Sequence, residues 1–188
     1  MDRCEPEYGC LVKVIVVVAC LARVAHADEQ ALSASAGYAT YSVPGEKMGE
    51  MTPPQLSPSG GGALAVSYER LIGSDVSLRG ELAGGMFFGG NAEGQSSRSF
   101  TLLADVGAAF RFDIFKYVPY AFAGIGGVVS GGGPIDRGTD LVLVVGGGLD
   151  RLWSRKKSAG LEVRLASFGG DITVVTVGLR GTTRWDFF

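Results

Sequence analysis

Hydrophobic and polar residues alternate with a period of two along most of the chain after residue 30, and turn residues interrupt the alternation repeatedly. In one such stretch, Leu78 and Leu82 share one face of a predicted strand, whereas Arg79 and Glu81 share the other. Eight segments show this pattern, at 31–43, 62–72, 76–88, 99–113, 118–130, 139–153, 160–168 and 172–187. Most of them are longer than typical strands of soluble proteins and long enough for a tilted strand to cross a membrane.

The polar faces of these segments contain too few charged residues to cover the outside of a water-soluble barrel. They consist mostly of glycine, alanine, serine and threonine, with a few carboxylates and arginines, and the segment YAFAGIGGVVS has almost no polar face. The pattern therefore favours lipid outside the barrel. An open sheet edge would leave backbone groups unsatisfied in hydrocarbon, so we predict that the last segment pairs with the first and closes the sheet.

Residues 1–27 have the features of a secretory signal peptide. Lys13 precedes the apolar run VIVVVACLA, which is too short for a spanning helix, and the small residues Ala25 and Ala27 precede a potential cleavage site. We predict cleavage after Ala27, which leaves 28–188 as a single barrel domain. The alternative is a lipoprotein signal, with cleavage and lipidation at Cys20 in VVAC. Acidic residues before Lys13 are unusual in a signal peptide and leave the true translation start open.

Removal of this segment also removes all three cysteines and the single histidine of the chain. Without a thiol or an imidazole, the remaining chain has no disulfide, no zinc site of the usual kind and no histidine-based catalytic pair. We therefore predict a protein that is not an enzyme and has no cofactor and no metal. The net charge of −2 gives no reason to expect nucleic acid as a partner.

The signal peptide, the eight alternating segments and the terminal WDFF together resemble small bacterial outer-membrane barrels of the OmpA and OmpX kind. The resemblance implies an all-β fold, namely an eight-stranded antiparallel up-and-down transmembrane β-barrel in the bacterial outer membrane, with the lipid bilayer as partner. It also implies that barrel-insertion machinery reads the aromatic terminus. Here Asp186 occupies the alternate position before Phe188, and Trp185 and Phe187 carry the outward phase.

An even number of strands places both chain ends on the periplasmic side, where aromatic residues recur at the ends of successive segments. Aromatic rings at the headgroup level form a girdle in barrels of this kind. The predicted girdle consists of Phe110, Phe112, Tyr117, Tyr120, Trp153, Trp185 and Phe187.

The charged residues of the polar faces point into the predicted barrel, mostly in its periplasmic half. They are Glu69, Arg79, Glu81, Asp105, Arg111, Asp150, Glu162, Arg164 and Arg180. An eight-stranded barrel encloses a space just wide enough for side chains to fill, so we expect these residues to pair and to plug the lumen. The other half of the lumen, lined by glycine, alanine and serine, could hold water without providing a path through the barrel.

The sequence thus predicts a structural or surface-interaction role and identifies no surface ligand. Two alternatives stay open: a narrow pore, and a secreted soluble lipocalin-like barrel that binds a small lipophile. Conductance would indicate the pore, and extraction without detergent would indicate the soluble barrel.

Overall fold

The computed structural model describes residues 29–44, 55–72, 74–90, 98–112 and 116–185. The strands are β1 Gln30–Pro44, β2 Gln55–Leu56, β3 Gly60–Leu71, β4 Val76–Phe88, β5 Arg98–Arg111, β6 Tyr117–Gly131, β7 Gly138–Ser154, β8 Lys157–Phe168 and β9 Ile172–Trp185. A 3-10 helix, Gly133–Ile135, lies between β6 and β7. Within the described ranges, no helix is long and apolar enough to cross a membrane.

The sheet is closed and entirely antiparallel. Each strand from β3 to β8 pairs with the next, β1 pairs with β3, and β9 pairs with β1 from Gln30 opposite Trp185 to Ser42 opposite Thr173. The two-residue β2 pairs with the end of β1 and extends the first hairpin. Eight strands, β1 and β3–β9, therefore form the barrel, which confirms the predicted up-and-down fold and the pairing of the last segment with the first.

The two ends of the barrel differ in their connections. The first strand begins and the last strand ends at one end, which also has the connections 72–75, 112–116 and 155–156. We call this end the turn end. The opposite end has the connections 45–59, 89–97, 132–137 and 169–171, and we call it the loop end.

Apolar side chains cover the outside of the barrel, and charged side chains lie inside. Leu141 is 76% exposed and Leu179 is 70% exposed, whereas Glu69 is 1% exposed. This distribution is the reverse of that in a water-soluble barrel, in which apolar side chains fill the interior and charges face the solvent. It confirms which face points outward in most of the segments and argues against the lipocalin-like alternative.

Paired glycines allow two pairs of strands to approach closely. Gly107 of β5 lies directly opposite Gly124 of β6, and a Cβ atom at Gly107 would overlap the carbonyl oxygen of Ala123. Gly37 of β1 lies opposite Gly178 of β9, and a Cβ atom at Gly37 would overlap the backbone of β9. No other residue fits at these two positions, which explains why glycine interrupts segments that are otherwise apolar.

Candidate functional site in the barrel interior

The interior of the barrel consists of a charged layer towards the turn end and an apolar layer towards the loop end. The period of two in each strand places the ionisable side chains of six strands in one band. The members of the charged layer are Glu29, Glu69, Arg79, Glu81, Asp105, Arg111, Asp150, Glu162, Arg164, Arg180 and Arg184.

Within the charged layer, Glu69 of β3 contacts arginines from three other strands. Its Oε1 atom accepts a hydrogen bond from Nη2 of Arg180 at 2.5 Å, and its Oε2 atom accepts one from Nη2 of Arg111 at 2.6 Å. Nη1 of Arg79 lies 3.8 Å from Oε1. Glu69 therefore joins β3 to β4, β5 and β9 through charge-assisted contacts, which are stronger than neutral hydrogen bonds.

A second group of ion pairs crosses the lumen between β4 and β8, which lie on opposite sides of the closed sheet. Nε of Arg164 lies 3.0 Å from Oε1 of Glu81, and Nη2 of Arg164 lies 2.7 Å from Oε1 of Glu162. Arg79 forms an ion pair with Glu81, and its Nη2 atom lies 3.6 Å from Oε2 of Glu162. These four side chains therefore occupy the full width of the barrel.

Two further charged residues, Glu29 and Arg184, complete the layer at the turn end. Nε of Arg184 lies 3.5 Å from Oε1 of Glu29 and its Nη2 atom lies 3.8 Å from Oδ2 of Asp150, while Arg111 contacts Glu29 at 3.1 Å. Neither residue was among those predicted from the sequence. The alternation that places Arg180 inside the barrel also places Arg184 inside, so Arg184 could have been predicted. Glu29, by contrast, precedes the first alternating segment.

Asp105 is an exception to the predicted pairing. It points inward from β5 directly opposite Glu81, and within the described part of the chain its carboxylate makes no ion pair. Its Oδ2 atom is buried without a hydrogen-bond partner among those residues. The physical reason is that Arg79 and Arg164 are both directed to the carboxylates of Glu81 and Glu162.

The prediction that Tyr120 belongs to the outer girdle is wrong. Its side chain is only 6% exposed and lies inside the barrel, where its hydroxyl donates to Oε2 of Glu162 at 3.1 Å. The guanidinium of Arg180 lies 4.3 Å from the centroid of its ring, a cation–π contact. The segment that contains Tyr120 has almost no polar face, so alternation alone could not show which of its residues point inward.

The other girdle residues within the described ranges lie at the turn end, as expected. Trp185 is half-buried and its ring centroid lies 6.4 Å from that of Tyr68, whereas Phe187 lies outside the described residues. The remaining four have exposed side chains: Phe110, Phe112, Tyr117 and Trp153. Contact between these rings and lipid headgroups stays a prediction.

Large apolar side chains fill the loop-end half of the interior. The rings of Tyr41 and Phe87 meet edge to face with centroids 5.2 Å apart, and the Tyr41 hydroxyl donates to the carbonyl oxygen of Gly89 at 3.3 Å. Further buried members of this layer are Leu103, Val128, Val142, Val144, Phe168, Ile172 and Val174. The prediction that only glycine, alanine and serine line this half is therefore wrong.

The connection between β6 and β7 folds over the loop end. Ile135 of its 3-10 helix is completely buried and belongs to the apolar layer. Nη2 of Arg137 lies 2.9 Å from Oδ2 of Asp171, and the backbone N–H of Arg137 donates to Oγ of Ser130 at 3.3 Å. The ion pair links 132–137 to 169–171.

The described side chains form no group of three histidine, cysteine, aspartate or glutamate residues suited to hold a metal ion. Most of the interior carboxylates are instead engaged by arginines, and the layer spans six strands. The ion pairs join strands across the lumen.

No protein-family model matches the chain, and no curated protein sequence matches it. Solved structures do match. Neisserial surface protein A (NspA) is 13% identical with a TM-score of 0.57, and the match covers 83% of this chain and 97% of NspA. Ail, the attachment invasion locus protein of Yersinia pestis, was solved in complex with the heparin analogue sucrose octasulfate; it is 15% identical with a TM-score of 0.55 over 84% of this chain and 98% of Ail.

The outer membrane protein OprG from Pseudomonas aeruginosa is 11% identical with a TM-score of 0.54, over 84% of this chain and 97% of OprG. At these identities the likeness concerns the fold alone. The chain has the fold of small bacterial outer-membrane β-barrels, which confirms the resemblance that the sequence indicated.

Proposed function

We propose that the protein is an integral β-barrel of the bacterial outer membrane, with a closed, non-conducting lumen and a structural or surface-interaction role. The turn end faces the periplasm and the loop end faces the outside. The observation that carries this proposal is a closed barrel with an apolar exterior and an interior filled by side chains. A barrel that closes its sheet satisfies every strand edge, which is what a hydrocarbon environment requires.

Two successive barriers support a non-conducting lumen. The ion pairs between β4 and β8 cross the charged layer, and Phe87 and Ile135 belong to the apolar layer beyond it. Eight strands enclose a space that side chains can fill completely. An ion that entered from the turn end would have to displace paired guanidinium groups and then cross an apolar region.

A role at the cell surface is supported by the nature of the similar structures. NspA is named as a surface protein, and Ail as an attachment invasion locus protein seen with a heparin analogue. The absence of histidine from 28–188 supports a role without enzymatic activity.

Membrane fractionation and planar-bilayer recording test this proposal together. We expect the protein in the outer-membrane fraction, soluble only in detergent, with a gel mobility that changes on heating and no steady conductance. A porin of established conductance in the same bilayer provides the positive control. Steady conductance proportional to salt would support the narrow pore instead, and recovery without detergent would support the soluble barrel.

Export is expected to remove residues 1–27, so that the mature protein begins at Asp28. The short apolar run and the small residues before Asp28 motivate this expectation. N-terminal sequencing of the exported protein tests it, with a Cys20→Ala variant as the control. If cleavage occurs after Ala27, the variant is processed normally. The prediction would be contradicted by an acylated Cys20 at the N-terminus of the exported protein, together with failure of the variant to mature.

A further inference from the structure

Exposed cations cluster on the outer surface of the turn end, around β7 and the connection to β8. We call this cluster, together with two exposed aromatic residues, the basic patch. Its members are Lys116, Tyr117, Arg151, Trp153, Arg155, Lys156 and Lys157.

The strand register brings these residues together. Tyr117 of β6 lies directly opposite Arg151 of β7, and directly opposed residues in antiparallel strands have neighbouring side chains. The backbone N–H of Leu152 donates to the carbonyl oxygen of Lys116 at 2.9 Å, which places Lys116 beside β7. Ser154 lies opposite Lys157 across the two-residue turn.

The five cations of the basic patch have no acidic partner among the residues that the structure describes. None of them makes an ion pair there, and the nearby carboxylate of Asp150 points into the lumen, where it accepts hydrogen bonds from Ser158 and Thr182. At the loop end, by contrast, the exposed cation Arg137 is paired with Asp171. Within the described ranges, the cations of the basic patch thus present positive charge that no ion pair neutralises.

The basic patch continues directly into the apolar outer surface. Arg151 lies on the same face of β7 as Leu149 and Trp153, and all three side chains are exposed. Trp153 is 73% exposed and Tyr117 accompanies it, and such rings concentrate where hydrocarbon meets headgroups. In a membrane-embedded barrel, cations at this height would lie beside the phosphate groups of the lipid.

We propose that the basic patch binds the headgroups of anionic phospholipids in the leaflet at the turn end. The inference rests on the proposed function, because only a membrane-embedded barrel places Trp153 at the headgroup level. Basic clusters at a membrane surface attract anionic lipid electrostatically, and the attraction is screened by salt. Bound lipid would anchor this side of the barrel and set its height in the bilayer.

Quenching of Trp153 fluorescence by brominated lipid tests the proposal. The chain has two tryptophans, so Trp185→Phe leaves Trp153 as the single reporter. This variant is reconstituted in bilayers of one composition, phosphatidylcholine with phosphatidylglycerol, in which either one lipid or the other has brominated acyl chains. At equal mole fractions, we expect brominated phosphatidylglycerol to quench Trp153 fluorescence at least about twofold more strongly than brominated phosphatidylcholine does. High salt should remove this difference.

Neutralisation of the cations is the matched comparison. Lys116, Arg151, Arg155, Lys156 and Lys157 are changed together to glutamine in the same reporter background, and a second variant changes 155–157 alone in case the first fails to insert. We expect the preference for phosphatidylglycerol to disappear in the first variant and to fall in the second. Arg98→Gln, at the loop end, should leave it unchanged.

The outcomes separate the two proposals. Equal quenching by both brominated lipids at low salt, or a preference that survives neutralisation, would overturn lipid binding by the basic patch while leaving the barrel in the membrane. Absence of quenching by either lipid would mean that Trp153 does not lie in a bilayer, which would overturn the proposed function itself.

Discussion

Replacement of Arg79 by alanine is expected to lower the free energy of unfolding by up to about 3–5 kcal/mol. The Arg79 side chain is 2% exposed, pairs with Glu81 and approaches Glu162 and Glu69 at 3.6 and 3.8 Å. Its guanidinium also lies 3.7 Å from the centroid of the Phe122 ring. Alanine removes the cation that three buried carboxylates share, and a buried charge that loses its partner is costly.

Urea unfolding of the protein in lipid vesicles, followed by tryptophan fluorescence, measures this effect. Arg137→Ala is the matched control, because it removes an arginine from an ion pair whose side chains are 44% and 36% exposed. Exposed ion pairs contribute about 0–1 kcal/mol, so the control should be nearly neutral. Equal losses of unfolding free energy for the two variants would mean that water screens the charges of the interior as effectively as those of the surface.

Leu82→Arg is expected to lower the free energy of unfolding by about 2–4 kcal/mol, which is the cost of an arginine on the lipid face near the bilayer midplane. Leu82 is the central residue of β4, which runs from Val76 to Phe88, and its side chain is exposed. The guanidinium at this position would lie in hydrocarbon without a partner on the outer surface of the barrel.

The same substitution at Val76 is the control for depth. Val76 begins β4 at the turn end and shares the outward face of Leu82, so an arginine there reaches the headgroups. Near the interface the expected cost is about 0–1 kcal/mol. Unfolding in vesicles compares the two variants directly, and a cost at Val76 that equals or exceeds the cost at Leu82 would contradict the proposed placement of the bilayer.

The sequence predicted the barrel well because the relevant signal is local. In each strand the side-chain direction repeats every second residue, so Arg79 and Glu81 had to lie on one face and Leu78 and Leu82 on the other. Closure followed from the need to satisfy strand edges in lipid.

Contacts inside the lumen were harder to predict because they depend on which strands meet across the barrel. Alternation places Gly146 on the inward face but does not show whether a side chain would fit there. A Cβ atom at Gly146 would lie 2.5 Å from both Cζ of Phe122 and the carbonyl oxygen of Val163. Even a small side chain at this position is therefore overpacked and is expected to be destabilising.

The sequence by itself determined the number of strands, their direction and the lipid-facing side of most of them, because these follow from a repeat of two residues and from the chemistry of a closed sheet. Only the tertiary structure decided that Tyr120 points inward to Glu162, that Asp105 is left out of the ion pairs among the described residues, and that large apolar side chains occupy the loop-end half. Those facts depend on the stagger of paired strands and on distances between residues far apart in the chain. A local repeat contains no information about either.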